Sequence, residues 1–457
     1  MRAAAFVTPL LCLSLLAGCA NLAPDYARPE SPVPATFDGQ PALAPAVGEL
    51  DWQRVITNAR LKKTIDVALA NNRNLRIAAL NIEKARAQYQ IEDAALYPAV
   101  SATVGGNSAR YQGSITRKYS AGLGITSYEI DFFGRLNNLK EAALQNFLST
   151  GATQRSVRTS LIAETANAWL TLAASQDLLK LARETLESRN TTLELTRKRQ
   201  ALGGASLLTV AQAQSAAETA RGDVARYLAL VEQARNALNL LAGTTLPADC
   251  LPAAENGVGA SALALVDVPA GLSSDVLLRR PDIVSAEHAL IGSNASIGAA
   301  RAAFFPSITL TGSIGTASAG LDTLFEAGTR AWTFVPTLNL PIFNAGKLSA
   351  SLSAAEVTRD IQVATYEKTV QTAFREVADA LAERGTLVER MDAQKAEVDA
   401  YATSLRLSTE RYRSGADSYL TVLDSQRSLY TAQKSLIALQ LTEQSNRMTL
   451  FKALGGE

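Results

Sequence analysis

The sequence predicts a two-part fold, short amphipathic strands joined to very long helices, in which two copies of one unit supply four strands and four helical columns per chain. Three observations predict it. The chain repeats its own landmarks at constant spacing. Each copy carries two strand-like stretches of about ten residues in which apolar and polar side chains alternate. Each copy then carries a heptad-patterned run long enough for a helix of about 64 residues.

The duplication is read from two sets of landmarks. Ala94-Ala95-Leu96-Tyr97-Pro98 is echoed by Ala302-Ala303-Phe304-Phe305-Pro306, and each is followed by a strand-like stretch, AVSATVGG and SITLTGSI. Gly203, Ser206, Leu208, Thr209, Val210 and Gln214 match Gly415, Ser418, Leu420, Thr421, Val422 and Gln426. Repeats are expected over 51–250 and 251–457. Each starts with a shorter helix (73–95, 281–302) and two strands (98–110 and 118–131; 305–318 and 331–343). A long helix follows (136–199, 346–412), then a glycine-containing turn and a helix over 206–242 or 418–455.

In the strands, Ile308, Leu310 and Ile314 alternate with Thr309, Thr311 and Ser313, and Phe334, Leu338, Leu340 and Ile342 with Thr337 and Asn339. The apolar phase of the second strand shifts near Ser127, as a bulge would make it. Pattern alone fits both a transmembrane barrel and a soluble hairpin pair with one wet face. In the second long helix, Val370, Val377, Met391, Val398 and Leu405 mark one seam, broken by Arg384. Phe374, Leu381, Val388 and Ala402 mark a second, broken by Lys395. The shorter and medium helices of a unit together match its long helix in length, so end to end they form one column beside it, at 1.5 Å per residue roughly 95 Å. Four strands cannot close a barrel, for which about eight is the minimum, so closure requires several chains.

Composition narrows the function. There are 44 basic and 43 acidic residues, a net charge of +1, and that balance argues against nucleic acid as a partner. No run of about 18 apolar residues follows the N-terminus, which excludes a helical membrane span but not a β-barrel. Cys12, Cys19 and Cys250 give no disulfide framework, and a single histidine, His288, leaves no metal site. With no nucleophile elbow or phosphate loop either, an enzyme is the weakest reading, and no cofactor is expected.

The N-terminus reads as an address. Arg2 and the apolar run Phe6 to Ala17 make residues 1–18 a secretion signal. Leu16-Ala17-Gly18-Cys19 resembles the bacterial lipobox, in which the cysteine becomes the first mature residue and carries N-palmitoyl and S-diacylglycerol lipid; an ordinary signal with a chance cysteine is the plain alternative. Ala20, in place of aspartate, resembles lipoproteins sorted to the outer membrane. Pro24, Pro29, Pro32, Pro34, Pro41 and Pro45 make residues 19–50 an extended strap rather than a domain.

Several segments resemble one family. LLRRPDIVSAEHAL (Leu277 to Leu290), SYEIDFFGRL (Ser127 to Leu136), RYRSGADSYLTVLDSQRSLY (Arg411 to Tyr430) and CANLAPDYARP are similar to segments of the TolC-like outer-membrane factors, most closely their lipidated NodT-type members. The resemblance spans the mature chain. It implies a membrane β-barrel plus a long α-helical barrel, closed as a homotrimer with a twelve-stranded barrel and a twelve-helix periplasmic tunnel. It implies an exit duct in the outer membrane that works with a periplasmic membrane-fusion adaptor and an inner-membrane RND-type pump; the exit channel of a type I protein secretion system is the alternative. RRPDI itself has a structural explanation, with Pro281 at the first helical position and Asp282 in the first turn.

Two candidate sites follow. The turns Leu202 to Leu208 and Ser414 to Leu420 match the turns that meet the adaptor in this family. Gly203, Ser206, Gly415 and Ser418 are small enough for close approach. The adjacent Arg197, Lys198, Arg199, Arg411 and Arg413 also suit helix C-termini on capping grounds alone. Leu420, Asp424 and Arg427 share one helix face by their spacing. The first repeat has Leu208, Gln212 and Ser215 at the matching places. In the family these positions form the periplasmic gate; a solvated face with a local ion pair is the bland reading.

Overall fold

The structure, a computed structural model, describes residues 21–37, 50–253, 257–259, 262–264 and 272–456. In chain order the elements are α1 (Trp52–Val55), α2 (Ala59–Asn71), α3 (Arg73–Ala94), β1 (Val100–Tyr111), β2 (Ser114–Ile130), α4 (Arg135–Ala201), α5 (Leu207–Ala242), α6 (Pro281–Ala302), β3 (Ser307–Ser318), β4 (Arg330–Asn339), α7 (Lys347–Arg413) and α8 (Tyr419–Ala453). A short 3-10 helix, Ser274–Arg279, precedes α6. A helix, two strands, a long helix and a further helix follow one another twice, as α3 to α5 and as α6 to α8, with α1 and α2 before them. The chain divides into two compact units that are not the repeats: each draws on both. The first holds residues 21–30, Leu80–Ala152 and Val284–Thr369; the second holds the other described residues.

The first unit is built on one antiparallel sheet of order β1-β2-β3-β4. Gln112 and Gly113, both at positive φ (46° and 86°), turn β1 directly into β2, so these strands run closer to the tip than expected. Residues paired directly across neighbouring strands share a face. The register therefore collects Ile130, Ile308 and Leu338, then Leu310, then Ile125 and Phe334, then Leu123, Ile314 and Trp332 on one face, followed by a mixed row of Val104, Ala121, Thr316 and Arg330. The other face carries Ser101, Thr103, Ser120, Ser313, Thr333, Thr337 and Asn339. The phase shift in β2 is a bulge: the β2–β3 register slips between Ile125 and Tyr128, Ser127 takes φ 53°, and its N–H donates to Thr311 Oγ1 at 3.1 Å. The extra residue returns Tyr128 and Ile130 to the apolar face. Gly122 and Gly315 stand opposite each other, where a Cβ on Gly315 would lie 2.2 Å from the Ala121 carbonyl oxygen, so only glycine allows these strands to meet.

The second unit is helical. Along α7 the buried seam runs Val370, Ala373, Val377, Ala380 and Leu387. The first expected seam is thus present, but the second lies one residue earlier than Phe374, Leu381 and Val388. The sequence carries two adjacent apolar stripes, and one seam covers only one of them. Phe374 is instead stacked on Phe37 of the strap, ring centroids 4.8 Å apart, while Val388 is 72% exposed. In α5 the buried Ala213, Ala217, Ala220, Tyr227, Val231 and Leu238 keep the coiled-coil spacing.

Two junctions in this unit join a helix end to a helix start. Asn72 Nδ2 donates to the Leu241 carbonyl at 2.8 Å, and Asn72 Oδ1 accepts from the Leu75 N–H at 3.0 Å. One amide therefore satisfies the end of α5 and the start of α3. At the matching place in the second repeat stands Arg280, 5% exposed. Its Nη1 donates to the Ala453 carbonyl at 2.8 Å, at the end of α8, and its Nε and Nη2 grip Asp282, in the first turn of α6, at 3.1 and 2.7 Å. Nη2 also donates to Glu376 at 2.8 Å.

Candidate functional site

The two helix turns have the same backbone. Gly203 N–H donates to Gln200 O and Gly204 N–H to Arg199 O; Gly415 N–H donates to Tyr412 O and Ala416 N–H to Arg411 O. This is the Schellman closure, and it places Gly203 and Gly415 at φ 78° and 77°, where glycine carries no Cβ penalty. Nothing stands within 4 Å of where a Cβ would project from either. Ser206 caps α5 by accepting the Thr209 N–H at 3.1 Å. Ser418 occupies the N-cap of α8 without that bond. Leu202, Leu207 and Leu208 are exposed, so the tips present apolar side chains in a place where turns are usually polar.

The basic residues beside the tips have contacts of their own. Arg411 forms a two-pronged pair with Asp417 at 2.6 and 3.2 Å, and the guanidinium holds that carboxyl below the usual carboxylate range. Arg199 lies over the Tyr412 ring at 5.2 Å, and Tyr412 in turn meets Tyr419, with centroids 5.4 Å apart. Beneath them Leu193, Ala213, Ala217, Tyr419 and Val422 form one buried cluster, which locks the two turns' helices together.

Leu420, Asp424 and Arg427 lie along the exposed side of α8, opposite the buried Val422 and Ser425. Arg427 Nη2 donates to Asp424 Oδ1 at 3.2 Å. Behind this face opens a groove of about 350 Å³ whose lining includes Arg427, Arg189, Asp223 and Tyr430. Tyr430 Oη donates to Asp223 Oδ2 at 3.0 Å, and burial, then the bond to this carboxylate, pushes the phenol's pKa up. Burial pushes the Arg189 guanidinium down. Sequence reasoning passed over Arg189 and Asp223, since each sits on a helix whose neighbour here is distant in sequence.

Cys19 lies outside the described residues, as do residues 38–49 of the strap. Residues 21–28 lie along α6 and α4. Asn138 Nδ2 donates to Asn21 Oδ1 at 2.9 Å, Asn294 Nδ2 to the Pro24 carbonyl at 2.9 Å, and Arg28 grips Glu287 at 2.8 and 3.0 Å. Side-chain bonds thus hold residues 21–28, and further on the strap makes a single antiparallel bridge, Thr36 to Ser273. Among the described residues no group of three His, Cys, Asp or Glu side chains is arranged to hold a metal ion, and no helix is long and apolar enough to cross a membrane. His288 Nδ1 is half-buried against Gln145 Oε1 at 2.7 Å.

Comparison with known proteins agrees with this geometry. The profile of the outer membrane efflux protein family matches residues 64–244 and 272–456. The toluene efflux pump outer membrane protein TtgC of Pseudomonas putida is 46% identical over 456 residues, which covers 97% of this chain and 93% of that protein. The antibiotic efflux pump outer membrane protein ArpC of Pseudomonas putida is likewise 46% identical over 97% of this chain and 93% of its own length. The crystal structure of the open state of the Neisseria gonorrhoeae MtrE outer membrane channel superposes with a TM-score of 0.86 at 39% identity, covering 96% of this chain and 98% of that one. The chain belongs to the outer membrane efflux protein family, the TolC-like outer-membrane factors.

Proposed function

We propose that three copies of this chain close a twelve-stranded barrel in the outer membrane and a twelve-helix tunnel in the periplasm, through which small toxic compounds leave the cell. As a member of its family the chain is the outer-membrane exit duct of an efflux pump. The observation that carries the finer reading is the sheet. One face carries an apolar band from the row of Ile130, Ile308 and Leu338 to that of Leu123, Ile314 and Trp332, with Arg330 in the next row at its edge, and the other is small and hydroxyl-rich, as a barrel with lipid outside and water inside requires. Its two edge strands, β1 and β4, are open within the chain, and only further copies can close them. The tips around Gly203, Ser206, Gly415 and Ser418 dock a periplasmic membrane-fusion adaptor, which couples the duct to an inner-membrane RND-type pump. Leu420, Asp424 and Arg427 form the periplasmic gate. Cys19 carries the lipid anchor, and the strap ties it to α6. The names of TtgC and ArpC favour organic solvents and antibiotics over a secreted protein as cargo.

Native mass spectrometry of the full-length protein from membranes tests the assembly and the anchor together. The expected species is a trimer whose subunits begin at a triply acylated Cys19. A monomer that conducts in bilayers sinks the trimer. An unmodified N-terminal peptide sinks the anchor alone, and Cys19→Ala should lose acylation while the barrel still inserts.

A further inference from the structure

Beyond its apolar band, the outer face of the sheet changes character. Ser318 on β3 lies ten residues past Ile308, about 33 Å along the strand and roughly 25 Å along a barrel axis at a 40° tilt, the height of a membrane barrel's apolar band. Its partner there is Tyr119, on the same face as Ile308 and Ile314. The Tyr119 ring lies across Gly106, where a Cβ would come within 3.2 Å of it, so a tyrosine sits at the edge of the band, where aromatic side chains favour the interface. From this row β1 and β2 continue alone as a hairpin.

The projecting hairpin is basic on the lipid side. The register pairs Ser108 with Arg117 and Arg110 with Ile115, so Arg110 and Arg117 are diagonal neighbours on the apolar face, about 7–8 Å apart at the backbone. Lys118 points to the opposite face. From Ala94 to Tyr128 the sequence has no acidic residue. Among the described residues no carboxylate of the same chain pairs with either arginine. Arg117 and Arg110 thus lie on the face of the apolar band one and two rows beyond Tyr119, and Arg330 lies on that face one row before it; in the barrel read above, these rows fall at the level of the headgroups.

We propose that Arg110 and Arg117 form a docking site for the phosphate groups of the phosphorylated glycolipid of the outer leaflet. The inference rests on the barrel reading above. A guanidinium presents a planar fork that matches phosphate oxygens, and two forks this close can hold one phosphate jointly or two on one lipid. The lipid's acyl chains would lie against Leu123, Ile314 and Trp332 below.

The test uses the full-length, detergent-solubilised protein and lipid titration read by native mass spectrometry. The probes are bisphosphorylated lipid A and its dephosphorylated form, with free inorganic phosphate as competitor. The wild type should retain the bisphosphorylated lipid about tenfold better, the scale of a charge-assisted contact. Arg110→Gln with Arg117→Gln should abolish that preference, and Lys118→Gln, which removes the same charge from the other face, should keep it. Equal retention of both lipids by the wild type overturns the proposal. So does undiminished preference in the double variant, or loss of preference with Lys118→Gln. Should the double variant fail to fold, Arg117→Gln alone must still lower the preference. Conductance in planar bilayers separates the two readings: channels that insert without lipid preference sink this site, and a protein that never inserts sinks the barrel.

Discussion

Asn72 and Arg280 occupy equivalent positions in the two repeats and solve one problem with different chemistry. A helix that ends against the start of another leaves carbonyls and N–H groups facing each other without partners. Asn72 bridges that gap with a single neutral amide. Arg280 bridges it with a buried cation that needs Asp282 and Glu376 to offset its desolvation. Asn72→Ala should therefore cost about 1 kcal/mol, as the loss of a cap does. Arg280→Ala strands two carboxylates and a carbonyl, and should cost about 2–3 kcal/mol; this is below the range for fully buried pairs because Asp282 and Glu376 are each about a third exposed. Arg280→Lys should recover little, since an ammonium cannot make the forked contact with Asp282 while reaching Ala453. Thermal unfolding of the solubilised protein checks the order, and a melting point for Arg280→Ala no lower than that of Asn72→Ala contradicts it. The sequence made Pro281 and Asp282 legible as a helix start. It left the role of Arg280 hidden, because its partners Glu376 and Ala453 are remote in the chain.

At the scale of elements, the turns behind Gly203 and Gly415 separate function from stability. Both glycines sit at positive φ with open space beyond, so alanine at either place costs about 1 kcal/mol of backbone strain and meets no neighbour. Gly203→Val with Gly415→Val should lower the thermal stability modestly and leave the trimer yield unchanged. It should nevertheless abolish solvent and antibiotic export, because the bulk is added where the adaptor's backbone would approach. Export at the wild-type rate in cells with normal trimer levels would remove the docking role and leave the glycines as turn formers only. These turns, the strands and the limits of α6 were legible because glycine chemistry, alternation and Pro281 act over a few residues. The seam of α7 was less so. Its 3.5-residue period is visible, yet whether Ala373 or Phe374 fills it depends on Phe37, a residue from the far end of the sequence.

On the scale of the whole molecule, an open duct across the outer membrane would leak, and the proposed gate is where the proposed trimer would close. In the proposed trimer, Leu420, Asp424 and Arg427 become three stacked rings. An apolar ring can dewet, and a charged ring above it can select or lock. Within one chain Asp424 already pairs with Arg427 at 3.2 Å, but both side chains are about 70% exposed, so this pair alone contributes at most a few tenths of a kcal/mol. Its exposure matters more than its strength. Three aspartates converging on an axis would repel one another unless each keeps a cation beside it, and Arg427 is placed to supply one. The first repeat, with Gln212 and Ser215 at the matching places, lacks this charge, so the proposed gate would rest on the second repeat alone. Leu420→Ala with Asp424→Ala removes the apolar ring and the acidic ring together while leaving the buried Val422 and Tyr419 beneath them untouched. The double variant should raise single-channel conductance in planar bilayers severalfold, since conductance scales with the cross-section of the narrowest water-filled section. It should also make cells more permeable to large antibiotics, with trimer yield unchanged. If its channels conduct like the wild type, the constriction lies elsewhere along the tunnel and the charged face of α8 is only a solvated surface.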